Sequence, residues 1–327
     1  MTEARIAAAV GLAALVALPF LLQTDSYYLH IVIQVLLLGL IYTAWGFMGR
    51  FGLVSLGHGA FMGVGAYTSS LLWNLYGVTP WLGIPAGMAL AAALALVIGY
   101  PCFHLKIVGH YFALVTLALG QVVALLIIAA RDVTGGSLGM TPRAVGTSWV
   151  ALQFQNRLQF YFIALALWLA VLGVRAWVSR GMRRAALEAI GEDETAAEAA
   201  GVNVLREKLR VFVISAVITA AGGSIFAQYI MYLNPETVAG VGISLQIVFA
   251  AIAGGMYSAL GPTVGALLTL SLTEFLRVLF GTNFIGAANT IYGILLILFI
   301  IFMPRGILGV AERLLERRPR AQTAPAE

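Results

Sequence analysis

Charge is scarce in this chain. Of its 327 residues only 33 are Asp, Glu, Lys or Arg, 10% against the roughly 25% of a soluble domain, while 61% are hydrophobic. With a mean hydropathy of +0.95, the apolar surface exceeds what one globular core can hide, so the solvent has to be lipid. Cysteine is almost missing: Cys102 stands alone, which excludes a disulfide scaffold. The 36 glycines keep no fixed period, excluding a collagen-like fibre, and the apolar content excludes a disordered chain. The two lysines, Lys106 and Lys208, do not sit in a G-x-x-x-x-G-K-[ST] phosphate loop. His30, His58, His104 and His110 lack metal-ligand spacing backed by carboxylates or thiols, and no G-x-S-x-G elbow occurs. The chain therefore reads as non-catalytic, with no metal site and no cofactor of its own.

What is present is a series of long apolar runs. A helix needs about 20 residues to cross some 30 Å of hydrocarbon. Cutting the chain at charges, prolines and polar clusters predicts about ten spans (nine to eleven), near 5–22, 29–48, 53–74, 81–103, 110–130, 158–178, 211–231, 242–258, 262–280 and 288–303. The fold class is all-α and polytopic. The first run exceeds the apolar region of a signal peptide and no small-x-small cleavage site follows it, so it is read as a retained span. With ten alternating spans and both termini cytoplasmic, fifteen Lys and Arg fall inside and four (Arg131, Arg143, Arg157, Arg277) outside. The basic balance thus reflects topology, and nucleic acid is not expected as a partner. The whole of 1–327 reads as one transmembrane domain ending in a cytoplasmic basic tail, 305–327.

Two soluble stretches interrupt the pattern. The translocated loop, 131–157 (periplasmic in a bacterial inner-membrane protein), contains Thr134, Gly135, Gly136 and Ser137; it reads as a surface turn or as a contact made through backbone N–H groups. The cytoplasmic loop, 180–210, holds 12 of the 33 charges in a basic, acidic, basic order. Between Gly191 and Gly201 the residues Glu192, Asp193, Glu194, Thr195, Ala196, Ala197, Glu198, Ala199 and Ala200 predict a helix of two to three turns, with acids in its first turn and Gly201 as its left-handed cap. So short a helix is marginal alone and needs a docking surface, either its own bundle or a cation-lined groove on a partner.

The stretch 51–105 carries no Asp, Glu, Lys or Arg and has Gly57, Gly59, Gly63 and Gly65 in quick succession. Such glycines let helix backbones approach closely, or interrupt a helix where it lines a cavity. Ser55, His58, Tyr67 and Thr68 would give that cavity an uncharged polar lining. Val64-Gly65-Ala66 recurs as Val264-Gly265-Ala266, so spans 2–5 and 7–10 are read as a candidate inverted repeat. Glu274 and Arg277, three apart, are expected to pair locally. No other span offers a carboxylate for ion coupling, so energy has to come from a partner or not at all.

At these residues the chain resembles the M-type permease subunits of bacterial ABC importers for branched-chain amino acids. The carriers are Gly52-Leu53-Val54-Ser55-Leu56-Gly57-His58-Gly59-Ala60-Phe61, Gly109-His110-Tyr111-Phe112-Ala113, Thr134-Gly135-Gly136-Ser137, Ala189-Ile190-Gly191-Glu192-Asp193-Glu194 and Pro304-Arg305-Gly306-Ile307-Leu308-Gly309. The resemblance implies an inner-membrane importer in which this subunit and a paralogous permease form a heterodimeric pathway. Two cytoplasmic ATPase subunits would hold ATP and Mg, and a periplasmic binding protein would deliver the substrate. It also implies that Glu192, Asp193, Glu194, Ala197, Glu198 and Gly201 belong to the coupling helix that meets the ATPase. Related permeases serve branched-chain amino acids, urea and short amides, or aromatic acids. A membrane enzyme using His58 and a passive channel are the alternatives from other classes.

Overall fold

A computed structural model describes residues 2–21, 26–280, 285–302 and 306–309. Its helices are α1 (Thr2–Leu21), α2 (Ser26–Gly49), α3 (His58–Tyr76), α4 (Pro80–His104), α5 (Gly109–Ala129), α6 (Arg131–Thr134), α7 (Arg157–Val178), α8 (Gly181–Glu192), α9 (Glu194–Ala199), α10 (Val204–Ile230), α11 (Pro235–Val238), α12 (Val241–Gly254), α13 (Gly261–Phe280) and α14 (Ile285–Phe302). Among the described residues β pairing is limited to two isolated bridges, Met140 with Leu233 and Ser148 with Gln153. Apart from 306–309, the basic tail lies outside the described residues.

Among the described residues, seven helices are long and apolar enough to cross a membrane: Tyr27–Gly49, Pro80–His104, Gly109–Ala129, Arg157–Val178, Val204–Ile230, Pro235–Gly254 and Gly261–Phe280. Their ends follow local chemistry. Pro80 at the first position of α4 gives up an N–H that would be unpaired anyway, and Asn156 and Asn203 cap α7 and α10 by accepting the N–H of Leu158 and Arg206.

Three expected boundaries move. The third helix begins at His58, not near 53, because Gly52 takes φ +81° and turns the chain after α2. The seventh starts at Val204, earlier than 211, since its first two turns are charged and escape a hydropathy count. The eighth runs Pro235–Gly254 through the short α11 and stops at Gly255, whose φ of +111° ends it.

Helix α2 is the axis of the bundle, with 83% of its apolar window buried against α7, α10, α12 and α13. Helix α3 is packed among α4, α5, α10 and α12. It is too polar to count among the seven, and that is physically consistent with its place: Ser69 and Ser70 are fully buried there, so α3 shows lipid little surface.

Candidate functional site

The Gly-rich segment lies in the middle of the bundle. His58, fully buried at the start of α3, has Nδ1 3.2 Å from Ser55 Oγ and Nε2 2.7 Å from Ser215 Oγ. Ser215 Oγ donates to the Ala44 carbonyl at 2.7 Å, so it must accept from His58 Nε2–H; Ser55, which accepts the Gly57 N–H, is left to donate to Nδ1. The imidazole is thereby fully engaged as a neutral link between the α2–α3 turn, α10 and α2. A Cβ on Gly57 would meet the Thr116 carbonyl oxygen at 2.1 Å, on Gly59 the Ser244 hydroxyl at 2.5 Å, and on Gly63 the Ala239 Cβ at 2.5 Å. Tyr67 is buried, and its hydroxyl finds no hydrogen-bond partner among the described residues. Tyr67 and Thr68 line an open, apolar cavity of about 480 Å³ between α3, α4 and α5.

The two Val-Gly-Ala copies do the same thing at different places. A Cβ on Gly65 would sit 2.0 Å from the Ala220 oxygen of α10, and one on Gly265 would sit 1.9 Å from the Ala250 oxygen of α12. Each copy marks a backbone-to-backbone helix crossing that excludes any side chain.

On the 180–210 loop the expected single helix between Gly191 and Gly201 is two. Helix α8 stops at Glu192, and Asp193 takes an extended conformation in which its carboxylate accepts the N–H of Thr195 (2.7 Å) and Ala196 (3.1 Å), starting α9. Those backbone donors, Ala196 first, hold the Asp193 carboxyl below the ordinary carboxylate value. Gly201 at φ +86° ends α9 as anticipated, with Gly201 N–H on Glu198 O and Val202 N–H on Ala197 O, a Schellman closure.

Of the two docking surfaces open to this helix, its own bundle takes part of the acids. Glu194 pairs with Lys208, whose side chain is only 2% exposed and lies over the Phe103 ring, and Glu198 pairs on the surface with Lys106 at 2.8 Å. The Glu198 hydrogen bond and charge raise the Lys106 pKa. Ala197 is buried with Ile190 and Val204. Glu192 faces solvent, as do Thr195, Ala196 and Ala199. Arg183 stacks over Trp177 at 4.2 Å, tying α8 to α7.

Thr134–Ser137, which follows α5, is firmly built. Thr134 Oγ1 donates to Ile127 O at 2.6 Å and accepts the Gly136 N–H at 3.1 Å. Gly135 and Gly136 both have positive φ, and Asn234 donates to the Ser137 carbonyl. The strandlike pair Met140 and Leu233 and the bond from Tyr232 to Leu138 O fasten this turn to the segment after α10. A cavity of about 260 Å³ lies between 144–157, the start of α7 and the end of α10. The Glu274–Arg277 pair forms as expected at 2.9 Å, with Tyr27 donating to Glu274.

A family model described as "Branched-chain amino acid transport system / permease component" matches residues 27–303. The chain belongs to that family. It is 32% identical to the high-affinity branched-chain amino acid transport system permease protein LivM of Escherichia coli, over 80% of this chain and 65% of that protein. With LivM of Salmonella typhimurium it shares 30% over 90% of this chain and 72% of that one. The probable branched-chain amino acid transport permease protein LivH of Methanocaldococcus jannaschii is 23% identical over 79% and 84%. The chain thus spans a little under two thirds of the first of these relatives.

Membership of the permease family agrees with a multi-pass membrane protein. Several side chains that hold this bundle together escaped sequence reasoning. Arg175, 3% exposed near the end of α7, donates to the carbonyls of Met256 (2.8 Å) and Tyr257 (3.1 Å) and so holds the α12–α13 turn. Arg50 reaches the hydroxyl of Ser179 at 2.7 Å. Both had counted only as topology charges. Lys106 and Lys208, as the chain's two lysines, carried a signal that composition alone could not convert into partners.

Proposed function

We propose that the chain is a transmembrane permease subunit of an ATP-driven importer in the bacterial inner membrane. With a paralogous permease it forms the pathway for branched-chain or related amino acids handed over by a periplasmic binding protein. The observation that carries this is the family match across 27–303, which falls on a bundle of membrane-length helices. The chain itself is no enzyme; ATP and Mg belong to two cytoplasmic partner subunits. The ten expected stretches each coincide with a helix, supporting ten crossings with α1, α3 and α14 added to the seven, and the fifteen-to-four charge asymmetry supports cytoplasmic termini.

The α8–α9 unit is the proposed contact with the ATPase. A force applied to its solvent face reaches the membrane through α10 by the Lys208 pair, through the α4–α5 turn by Lys106 and through α7 by Trp177. The pathway switches between outward-facing and inward-facing when that unit moves. Because Asp193, Glu194 and Glu198 have intramolecular duties, Glu192 is the acid that isolates docking. Glu192→Lys, coexpressed with the partners, is expected to reduce uptake and ATPase copurification with unchanged thermal stability. Normal uptake and copurification would remove α8–α9 from the interface.

A further inference from the structure

Helices α4 and α10 run antiparallel. Lys208 lies over the Phe103 ring, a Cβ added to Gly99 would meet Phe212 at 2.7 Å and Leu209 at 3.1 Å, and one added to Gly87 would meet the Ser224 hydroxyl at 3.4 Å. That register sets Arg206 level with the end of α4, and Val213 and Ile214 level with the neighbourhood of Leu96. Between the two helices runs an open groove of about 310 Å³, lined by Leu96, Arg206, Leu209, Arg210, Val213 and Ile214. The five α10 residues share one helix face, with the two arginines toward the start of the helix. The walls are apolar throughout, so the methylene stems of Arg206 and Arg210 line the groove and their guanidinium groups lie beyond it. Tyr100, exposed and stacked on His104 near the end of α4, marks head-group depth, and from Arg206 to Ile214 α10 rises about 12 Å away from it into hydrocarbon. The other cations here are matched: Lys106 holds Glu198, Lys208 holds Glu194 and Arg210 holds Glu207. The Arg206 side chain has no hydrogen bond or ion pair among the described residues.

We propose that this groove holds one anionic glycerophospholipid. An acyl chain lies along Leu96, Leu209, Val213 and Ile214, and the phosphodiester meets Arg206 with Arg210 beside it. A groove open sideways at this depth is filled by lipid chains or by protein, because an empty one forfeits dispersion contacts on every wall. Charge decides for the lipid. Two arginines and one carboxylate leave a single net positive charge at the boundary, which favours an anionic head group over a zwitterionic one, and the planar guanidinium matches a phosphate with two parallel hydrogen bonds. The inference goes beyond the importer reading and needs only that α10 crosses the membrane.

The test is native mass spectrometry of the full chain after equilibration in detergent with equimolar dioleoyl phosphatidylglycerol and dioleoyl phosphatidylcholine, which differ only in the head group. The chain is expected to retain one phosphatidylglycerol with about fivefold preference, the effect of one unmatched cation near the membrane surface. Arg206→Gln should bring the two lipids to parity, while Arg206→Lys keeps the preference. Arg317→Gln with Arg318→Gln, which lowers the positive charge of the tail, should leave it unchanged. Ile214→Trp fills the groove, keeps both arginines and should remove the retained lipid; Leu96→Trp repeats that block from α4 should the first variant fail to elute as monodisperse protein. Glycerol phosphate, the head group without chains, should not displace the lipid. A preference that survives Arg206→Gln, one that disappears in the tail variant, or displacement by glycerol phosphate overturns the site. Lipid held by the chain alone but absent from its complex with a coexpressed second permease would mean that protein covers the groove, and the proposal would fail.

Discussion

Gly65 and Gly223 meet α10 and α3 from opposite sides of one crossing. A Cβ at the first would lie 2.0 Å from Ala220 O, and one at the second 2.2 Å from Met62 O. Both contacts are with backbone, which no rotamer change can relieve, so the helices would have to part. Gly65→Ala should therefore destabilise by about 1–3 kcal/mol or more. Gly173→Ala on α7 is the control: nothing lies within 4 Å of its Cβ, and a helix-interior Gly→Ala exchange favours folding by roughly 0.5–1 kcal/mol. Thermal unfolding in detergent should move in opposite directions for the two, and a Gly65→Ala protein as stable as wild type would refute the close crossing. The glycine spacing was readable from the sequence, since small residues four apart announce a helix contact. The partner was not, because Ala220 is 155 positions away. His58 makes the same point: the sequence placed it with Ser55 in one polar segment, but not beside Ser215, which sets its tautomer from 157 positions away.

Helices α8 and α9 show where sequence patterning reaches its limit. The alanine-rich run after Gly191 announces helix, but it cannot say that the Asp193 side chain will compete for the Thr195 and Ala196 amides and restart the helix there. Nor can composition tell that Glu194 turns to the buried Lys208 while Glu198 meets Lys106 at the surface. The Glu194–Lys208 pair decides the stability of this element, because Lys208 has almost no solvent to fall back on. Glu194→Gln leaves that ammonium buried without its counter-charge and should cost about 3 kcal/mol, whereas Glu194→Gln with Lys208→Met should recover most of it. Chemical denaturation of the single and double variants measures this, and a neutral single variant would contradict the burial. Acid acts through Asp193. Its folded value is depressed, so the cap's contribution is present above the unfolded value of about 3.9 and is lost as pH falls through the lower folded one. Hydrogen exchange at Thr195 and Ala196 should accelerate relative to wild type at neutral pH once allowance is made for intrinsic rates, and Asp193→Asn should abolish that pH dependence. An unaltered pH response in Asp193→Asn would assign it to another group.

At the scale of the molecule, α7 is the one membrane-length helix between the two soluble stretches, so it alone fixes their relation. Its 22 residues span about 33 Å at 1.5 Å per residue, matching the hydrocarbon thickness of roughly 30 Å. The turn at Thr134–Ser137 and the α8–α9 unit must then emerge on opposite faces, whatever the final number of crossings. Ser137 and Ala200 are both exposed, and the native Cys102 is buried, so single cysteines at the two positions can be read without removing it. In intact spheroplasts an impermeant maleimide should label Ser137→Cys and spare Ala200→Cys, and inverted vesicles should reverse the pattern. Labelling of both positions from one face would mean that α7 does not cross. The 131–157 loop and the loop that meets the proposed motor would then share a compartment. A movement of α9 could no longer be passed across the bilayer, and the importer mechanism would fail at its first step.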